Sequence, residues 1–216
     1  MIRGLLLLLL LTAVPVLPAQ QPAPPSAKVI AARVDHHYNA LHSLKVGFTQ
    51  DYSGMGMNVK ERGTLLLKKP GRMRWDYAQP AGKLFLLDGH NGYFYAPGQS
   101  EAQKVPAKKL DDIRSPLSLL LGHTNLEKEL TGLTMAEVNG QYLLRGVPRG
   151  MENRVRVLEI TAAADGAILR MRIEETDGAV NSFVFQGEQP NAPAPDAAFV
   201  FHAPEGVNVV DGMPPV

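Results

Sequence analysis

The sequence predicts an α+β protein that is mostly β and has few helices. Its antiparallel sheet is expected to be covered on one face. Short segments alternate apolar and polar residues, as ILRMRIE does at residues 168–174, where Leu169, Met171 and Ile173 share one face. Such alternation indicates strands with one buried and one solvated face. The FVF stretches at 183–185 and 199–201 are predicted to be further strands. Turn dipeptides such as Asn91-Gly92 and Asn139-Gly140 separate these segments, and only two stretches have helical character. We count roughly ten or eleven strands.

The N-terminal residues 1–19 have the pattern of a secretory signal peptide. Arg3 precedes an unbroken leucine run, and the small residue Ala19 marks the expected cleavage site. The apolar run is too short for a comfortable transmembrane helix, and two prolines interrupt its end. We therefore predict an exported chain with a Pro-rich linker at 20–27 and a single domain at 28–216.

Cysteine content and charge restrict the class of protein further. The chain has no cysteine, so it folds without disulfides and cannot carry a lipid on an N-terminal Cys, and the mature protein is expected to be soluble. Loss of Arg3 lowers the 22 basic residues to 21, which equals the 21 acidic residues. A net charge near zero argues against nucleic acid or an anionic membrane surface as the partner.

The first helical stretch follows the linker. Ser26 is a suitable N-cap, and apolar residues recur at helical spacing up to the His42-Ser43 pair, where the helix is expected to end. The second stretch is SPLSLLLG, with Ser115 at the N-cap and Gly122 just past the end. The polar segment before it, 101–114, is expected to be a mobile connection. These two helices are the candidates to cover the sheet.

Motifs for catalysis or metal binding are absent from the sequence. The six histidines have no metal-ligand spacing, and there is neither a GxSxG elbow nor a phosphate-binding loop. The GMGMNV stretch at 54–59 lacks the third glycine of a dinucleotide site and is expected at a hairpin tip. We therefore predict no metal, no cofactor and no catalytic residue, which favours a binding protein over an enzyme.

The segment KKPGRMRWDYAQP at 68–80 contains the only Trp of the chain. It is predicted to join two strands through a tight turn at Pro70-Gly71. Alternation places Lys69 on the apolar side of the hairpin, where it either snorkels past the turn or has a specific partner. The apolar face carries Leu65, Leu67, Met73, Trp75 and Tyr77, and the opposite face carries Arg72, Arg74 and Asp76.

Several segments together resemble the LolA family of periplasmic lipoprotein carriers. They are FTQ at 48–50, LKKPGRMRWDYAQP at 67–80, LDGHNGYFYAP at 87–97, SPLSLLLG at 115–122 and FVFHAPEGVNVVDG at 199–212. The resemblance implies an open, curved antiparallel sheet, a half β-barrel whose concave face is covered by helices. It also implies a hydrophobic cavity between sheet and helices that accepts acyl chains.

The resemblance also implies roles for individual residues. Lys69 stands where the family has a cation that latches the lid to helix backbone; the enterobacterial pattern has Arg there, and Lys has fewer donors. Met73 stands at the expected mouth of the cavity, with ordinary core filling as the alternative. The residues expected to line the acyl cavity are Phe48, Leu65, Leu67, Met73, Trp75, Tyr77 and Leu119.

The partners implied are acylated lipoproteins, an inner-membrane lipoprotein-releasing ABC transporter and an outer-membrane acceptor, either LolB-like or unknown. The chain is expected to act as a monomer in the periplasm. Because it has no cysteine, it cannot be the lipoprotein receptor LolB itself. The alternative function is a periplasmic lipid-sensing regulator, or a carrier of another lipid, on the same fold.

Overall fold

The computed structural model describes residues 24–110 and 123–212. The helices are α1 (Ala27–Asn39), α2 (Ala107–Leu110) and α3 (Leu126–Glu129), and a 3-10 turn spans Asp196–Phe199. The strands are β1 (Ser43–Gly54), β2 (Met57–Lys68), β3 (Arg72–Gln79), β4 (Ala81–Asp88), β5 (Asn91–Tyr95), β6 (Glu101–Pro106), β7 (Leu130–Val138), β8 (Gln141–Pro148), β9 (Val155–Ala162), β10 (Ile168–Glu175), β11 (Val180–Pro190) and β12 (Asn208–Asp211).

The described strands form one open, curved sheet in the order β12-β6-β5-β4-β3-β2-β1-β11-β10-β9-β8-β7. The predicted fold class is thus confirmed, with twelve strands instead of ten or eleven. All neighbours pair antiparallel except β12, which runs parallel to β6. The order places β1 at the centre, between β2 and β11, so residues far apart in the chain meet there.

Two predicted segments have a different structure. The polar stretch at 101–114 was expected to be a connection, but its described part, 101–110, forms β6 and α2, because Ala102 and Val105 are fully buried where β6 pairs with β5. The stretch from Phe199 to Phe201 was expected to be a strand. It is the end of the 3-10 turn and a loop, held across β3 by a hydrogen bond from Arg74 Nη1 to the Ala198 carbonyl.

Of the two Asn-Gly dipeptides predicted to form turns, one forms a turn and the other does not. Asn139 and Gly140 both have positive φ, 53° and 74°, and join β7 to β8 as predicted for a type I′ turn. Asn91 does not begin a turn, because the Asp88 carboxylate accepts the backbone N–H groups of His90 and Asn91, at 2.7 Å each, and closes the turn earlier. Residue 91 is then free to begin β5.

Helix α1 covers the concave face of the sheet. Ser26 Oγ accepts the Val29 N–H at 3.4 Å, as expected of the N-cap, but α1 ends at Asn39, before the predicted His42-Ser43 pair. The buried side of α1 joins one apolar core with the sheet face beneath it, which we call the inner face. The predicted helix at 115–122 lies outside the described residues. The buried α1 residues are Ile30, Ala31, Val34 and Tyr38.

Candidate functional site

The predicted apolar residues of the β2–β3 hairpin lie together on the inner face. Leu67 is directly opposite Met73, and Leu65 is opposite Trp75, across a turn at Pro70-Gly71. Each of these four side chains is 4 % exposed or less, whereas Tyr77 is half-buried. Alternation along the two strands causes this arrangement, since residues two apart share a face. Leu119 lies outside the described residues.

An aromatic cluster continues this surface onto β1 and β11. The Phe48 ring lies edge-on to Trp75, with ring centroids 4.5 Å apart, and edge-on to Tyr77 at 5.2 Å. Trp75 is also 5.7 Å from Phe183, which stacks with Phe185. Such pairs stabilise beyond the burial of their area. Phe183 and Phe185 lie on a predicted strand but are not among the residues predicted to line the cavity, although their alternation is the signal that could have found them.

The charged residues of the hairpin face outward, as predicted. Arg74 forms an ion pair with Asp76, and Arg72 forms one with Asp196 of the 3-10 turn. The Asp196 carboxylate is mostly exposed, so such pairs are worth about 0–1 kcal/mol. They position the hairpin but leave the inner face apolar.

Lys69 connects the β2–β3 turn to the end of α1. Its Nζ donates to the Tyr38 carbonyl at 2.7 Å, and its backbone N–H donates to the His42 carbonyl at 2.9 Å. A cation is favourable beside the last carbonyls of a helix. Burial lowers the pKa of the Lys69 ammonium. The described residues offer Lys69 no ion pair, so the helix backbone holds its charge.

A second connection joins α1 to β11 and was not anticipated from the sequence. His37 Nε2 lies 2.5 Å from Glu188 Oε1, and the Tyr38 hydroxyl donates to Glu188 Oε2 at 3.1 Å. The same hydroxyl accepts the Ile168 N–H at 2.8 Å, which ties it to β10 as well. Burial, followed by the nearby Glu188 charge, raises the pKa of Tyr38. Glu188 thus binds two consecutive residues of α1. Because His37 and Glu188 are 151 residues apart in the sequence, no local pattern indicates this contact.

Little space remains between α1 and the inner face. The gap that remains has a volume of about 10 Å³, about enough for one water molecule. Its lining residues are Tyr38, Leu44, Val46, Leu65, Ile168, Phe185 and Glu188. Pockets that hold small ligands usually measure about 300–1,000 Å³. The apolar lining suits an acyl chain, but this gap is too small to enclose one while α1 is seated. Room for a ligand there requires α1 to move away from the sheet.

Met73 was expected near the rim of a cavity. Its side chain is 1 % exposed, and its sulfur accepts the Trp75 Nε1–H at 2.8 Å. With α1 seated, Met73 therefore lies inside the core, and a role at a cavity mouth stays a prediction.

The described residues contain no cluster of three or more potential metal ligands. None of the helices at 24–110 and 123–212 is long and apolar enough to cross a membrane.

Comparison with known proteins identifies the family. The model of the family described as outer membrane lipoprotein carrier protein LolA matches residues 39–202. The chain belongs to the LolA family. The match includes the β2–β3 hairpin, the aromatic cluster and Glu188, but excludes most of α1. Membership in a family of carriers makes this chain a binding protein and not an enzyme.

Individual relatives agree with this assignment. An outer-membrane lipoprotein carrier protein of Chromobacterium violaceum is 25 % identical over 88 % of this chain and 91 % of its own length. One of Nitrosomonas europaea is 25 % identical over 88 % and 92 %. The crystal structure of a DUF1329 family protein from Desulfovibrio piger matches with a TM-score of 0.50 at 13 % identity, over 81 % of this chain and 95 % of that one. At that identity the structural match concerns the fold alone.

Proposed function

We propose that this chain is a periplasmic carrier that binds the acyl chains of lipoproteins between α1 and the inner face and delivers them to the outer membrane. The family match over residues 39–202 carries this proposal. The relatives of Chromobacterium and Nitrosomonas are named as outer-membrane lipoprotein carriers. The proposed route begins with export and removal of residues 1–19. Cargo then arrives from an inner-membrane lipoprotein-releasing ABC transporter and leaves to an outer-membrane acceptor.

In the proposed binding step, the inner face exchanges its apolar contact with α1 for an apolar contact with the acyl chain. Each acyl CH₂ that leaves water gains roughly 0.8 kcal/mol, so a chain of about sixteen carbons gains on the order of 10 kcal/mol. Opening α1 costs part of this gain, because the buried residues of α1 lose their contacts with the inner face. The polar connections at Lys69 and Glu188 add to that cost. Binding and release can therefore be balanced without covalent chemistry.

Trp75 provides a direct test of where the acyl chain lies. It is the only Trp of the chain and is 4 % exposed on the inner face. A triacylated lipopeptide with brominated acyl chains should quench its fluorescence, because bromine quenches on contact, and the same lipopeptide without bromine is the matched control. Binding without quenching would place the chain elsewhere, and no binding would overturn the carrier proposal.

The natural cargo can be identified by native mass spectrometry of protein isolated from the periplasm. Bound lipoprotein supports the carrier, whereas free lipid alone would favour a lipid-sensing regulator. Recovery of the chain with an intact N-terminus in the membrane fraction would contradict the proposed periplasmic location.

Lys69→Met should make α1 open more readily. The substitution keeps the aliphatic stem but removes the hydrogen bond to the Tyr38 carbonyl. Because the site is partly solvated, the expected loss is about 1 kcal/mol, or roughly five-fold in the opening equilibrium. Hydrogen exchange of the α1 amides and the rate of lipopeptide release measure it, with Lys108→Met as the control on an exposed lysine. If the two variants have equal rates of amide exchange and of lipopeptide release, Lys69 does not latch α1 and only extends its ammonium past the turn into water.

A further inference from the structure

The inner face is not apolar along its whole length. Beyond the aromatic cluster it carries four polar side chains from four strands, which we call the polar end: Gln50 of β1, Glu61 of β2, Lys83 of β4 and Asn181 of β11. Gln50 lies directly opposite Glu61, and its Nε2 donates to Asn181 Oδ1 at 3.1 Å. Lys83 shares the face because it precedes Phe85, the partner of Trp75, by two residues.

Glu61 and Lys83 form an ion pair that is largely removed from water on its acidic side. Glu61 is 8 % exposed, and Lys83 Nζ lies 2.6 and 2.7 Å from its two carboxylate oxygens. The same ammonium lies 4.5 Å from the centroid of the Tyr77 ring. Desolvation offsets the attraction within a buried pair, so stability alone is a weak reason for placing one there. Its position at the margin of the aromatic cluster suggests recognition instead.

Gln50 holds a hydrogen-bond acceptor without a donor. Its Oε1 is buried and receives no hydrogen bond from any residue in the described ranges, while its Nε2 is engaged by Asn181. A buried acceptor left unpaired costs free energy, and nearly all such groups in folded proteins have a partner. We therefore expect Gln50 Oε1 to accept a hydrogen bond from a donor outside the described residues.

The polar end is in line with the apolar gap. Val46, Phe48 and Gln50 share one face of β1, and Val46 lines the gap beneath α1. Val46 and Gln50 are four positions apart in the sequence, which corresponds to about 13 Å along the strand. An amphiphile with its chain near Val46 and Phe48 would present its polar head at Gln50. One surface thus combines an apolar track with a hydrogen-bonding terminus.

We propose that the polar end binds the amide- and ester-bearing head of an acylated peptide. Gln50 Oε1 accepts an amide N–H of the ligand, and Lys83 donates to an ester carbonyl. This assignment rests on the proposed carrier function and adds the residues that select the cargo. A free fatty acid brings a carboxylate, which has no N–H for Gln50, and the Lys83 ammonium is already paired with both Glu61 oxygens. The polar end therefore discriminates lipopeptides from fatty acids.

Gln50→Leu should weaken lipopeptide binding about five-fold, the effect of one neutral hydrogen bond, and leave palmitic acid binding unchanged. Titrations of Trp75 fluorescence with a triacylated lipopeptide, a diacylated lipopeptide of the same peptide sequence and palmitic acid measure this. Loss for the triacylated probe alone assigns the N-acyl amide as the donor, and loss for both lipopeptides assigns an N–H that both carry, on the N-terminal nitrogen or the peptide backbone. Thr49→Val, an exposed neighbour on the opposite face, is the matched control.

Equal weakening of all three probes, or of none, would overturn the polar end as a recognition site. Gln50→Met, which keeps the length of the side chain, provides the same comparison should the leucine variant melt early. Wild-type protein that binds no probe at all would overturn the carrier function itself, and the two failures are thereby distinguished.

Discussion

Met73→Glu should destabilise the protein on the order of 3–5 kcal/mol, the usual cost of an uncompensated buried charge. Met73 is 1 % exposed between Leu67 and Trp75, and its sulfur accepts the Trp75 indole N–H. A carboxylate there would be buried in the apolar core that includes Leu65, Leu67 and Trp75. Because globular domains have only about 5–15 kcal/mol of stability, the loss should be visible as a large fall in the urea midpoint.

The pH dependence of the variant distinguishes buried charge from a simple packing defect. Burial raises the pKa of a carboxylic acid, so the folded variant takes up a proton more readily than the unfolded chain as pH falls. The deficit relative to wild type should therefore narrow between pH 7 and pH 4. Met73→Leu is the control, with an expected cost under about 1.5 kcal/mol at any pH. A glutamate variant as stable as wild type but unable to take up lipid would instead place Met73 at a wet cavity mouth.

Glu188→Ala should lower the free energy of unfolding by about 2 kcal/mol, because it leaves two groups of α1 without their partner. The Glu188 carboxylate contacts His37 Nε2 at 2.5 Å and accepts the Tyr38 hydroxyl at 3.1 Å, and its side chain is 18 % exposed. The amides of α1 should lose protection from hydrogen exchange before those of the central strands, since the contact joins α1 to β11. Urea denaturation and site-resolved exchange measure the two effects.

Two control variants test whether the effect is specific to the Glu188 carboxylate. Glu188→Gln keeps a hydrogen-bonding oxygen but no charge, and we expect about half the loss. Glu205→Ala removes an exposed carboxylate and should remain within about 0.5 kcal/mol of wild type. Should Glu188→Ala match Glu205→Ala in both measurements, Glu188 does not hold α1 on the sheet.

The predicted and observed faces of the β2–β3 hairpin agree because the pattern there is local. The hairpin around Pro70-Gly71 and the opposite faces of Leu67 and Arg72 follow from turn chemistry and period-two alternation alone. The same reasoning failed at β6, where Ala102 and Val105 are buried by pairing with β5 within a polar stretch. It also failed at Asn91, because the Asp88 side chain had already closed the turn.

By itself, the sequence determined the mostly β class, the Ser26 cap, the apolar face of the β2–β3 hairpin and the family. These depend on residues close together in the chain, or on motifs read in order. Only the tertiary structure decided what lies on that face. It seated α1 on the inner face and paired His37 with Glu188 across 151 residues. It also left Gln50 Oε1, beside the Glu61–Lys83 pair, without a donor from the described part of the chain. The physical reason is that alternation records which side of a strand avoids water, whereas the partner that excludes the water comes from a distant part of the chain.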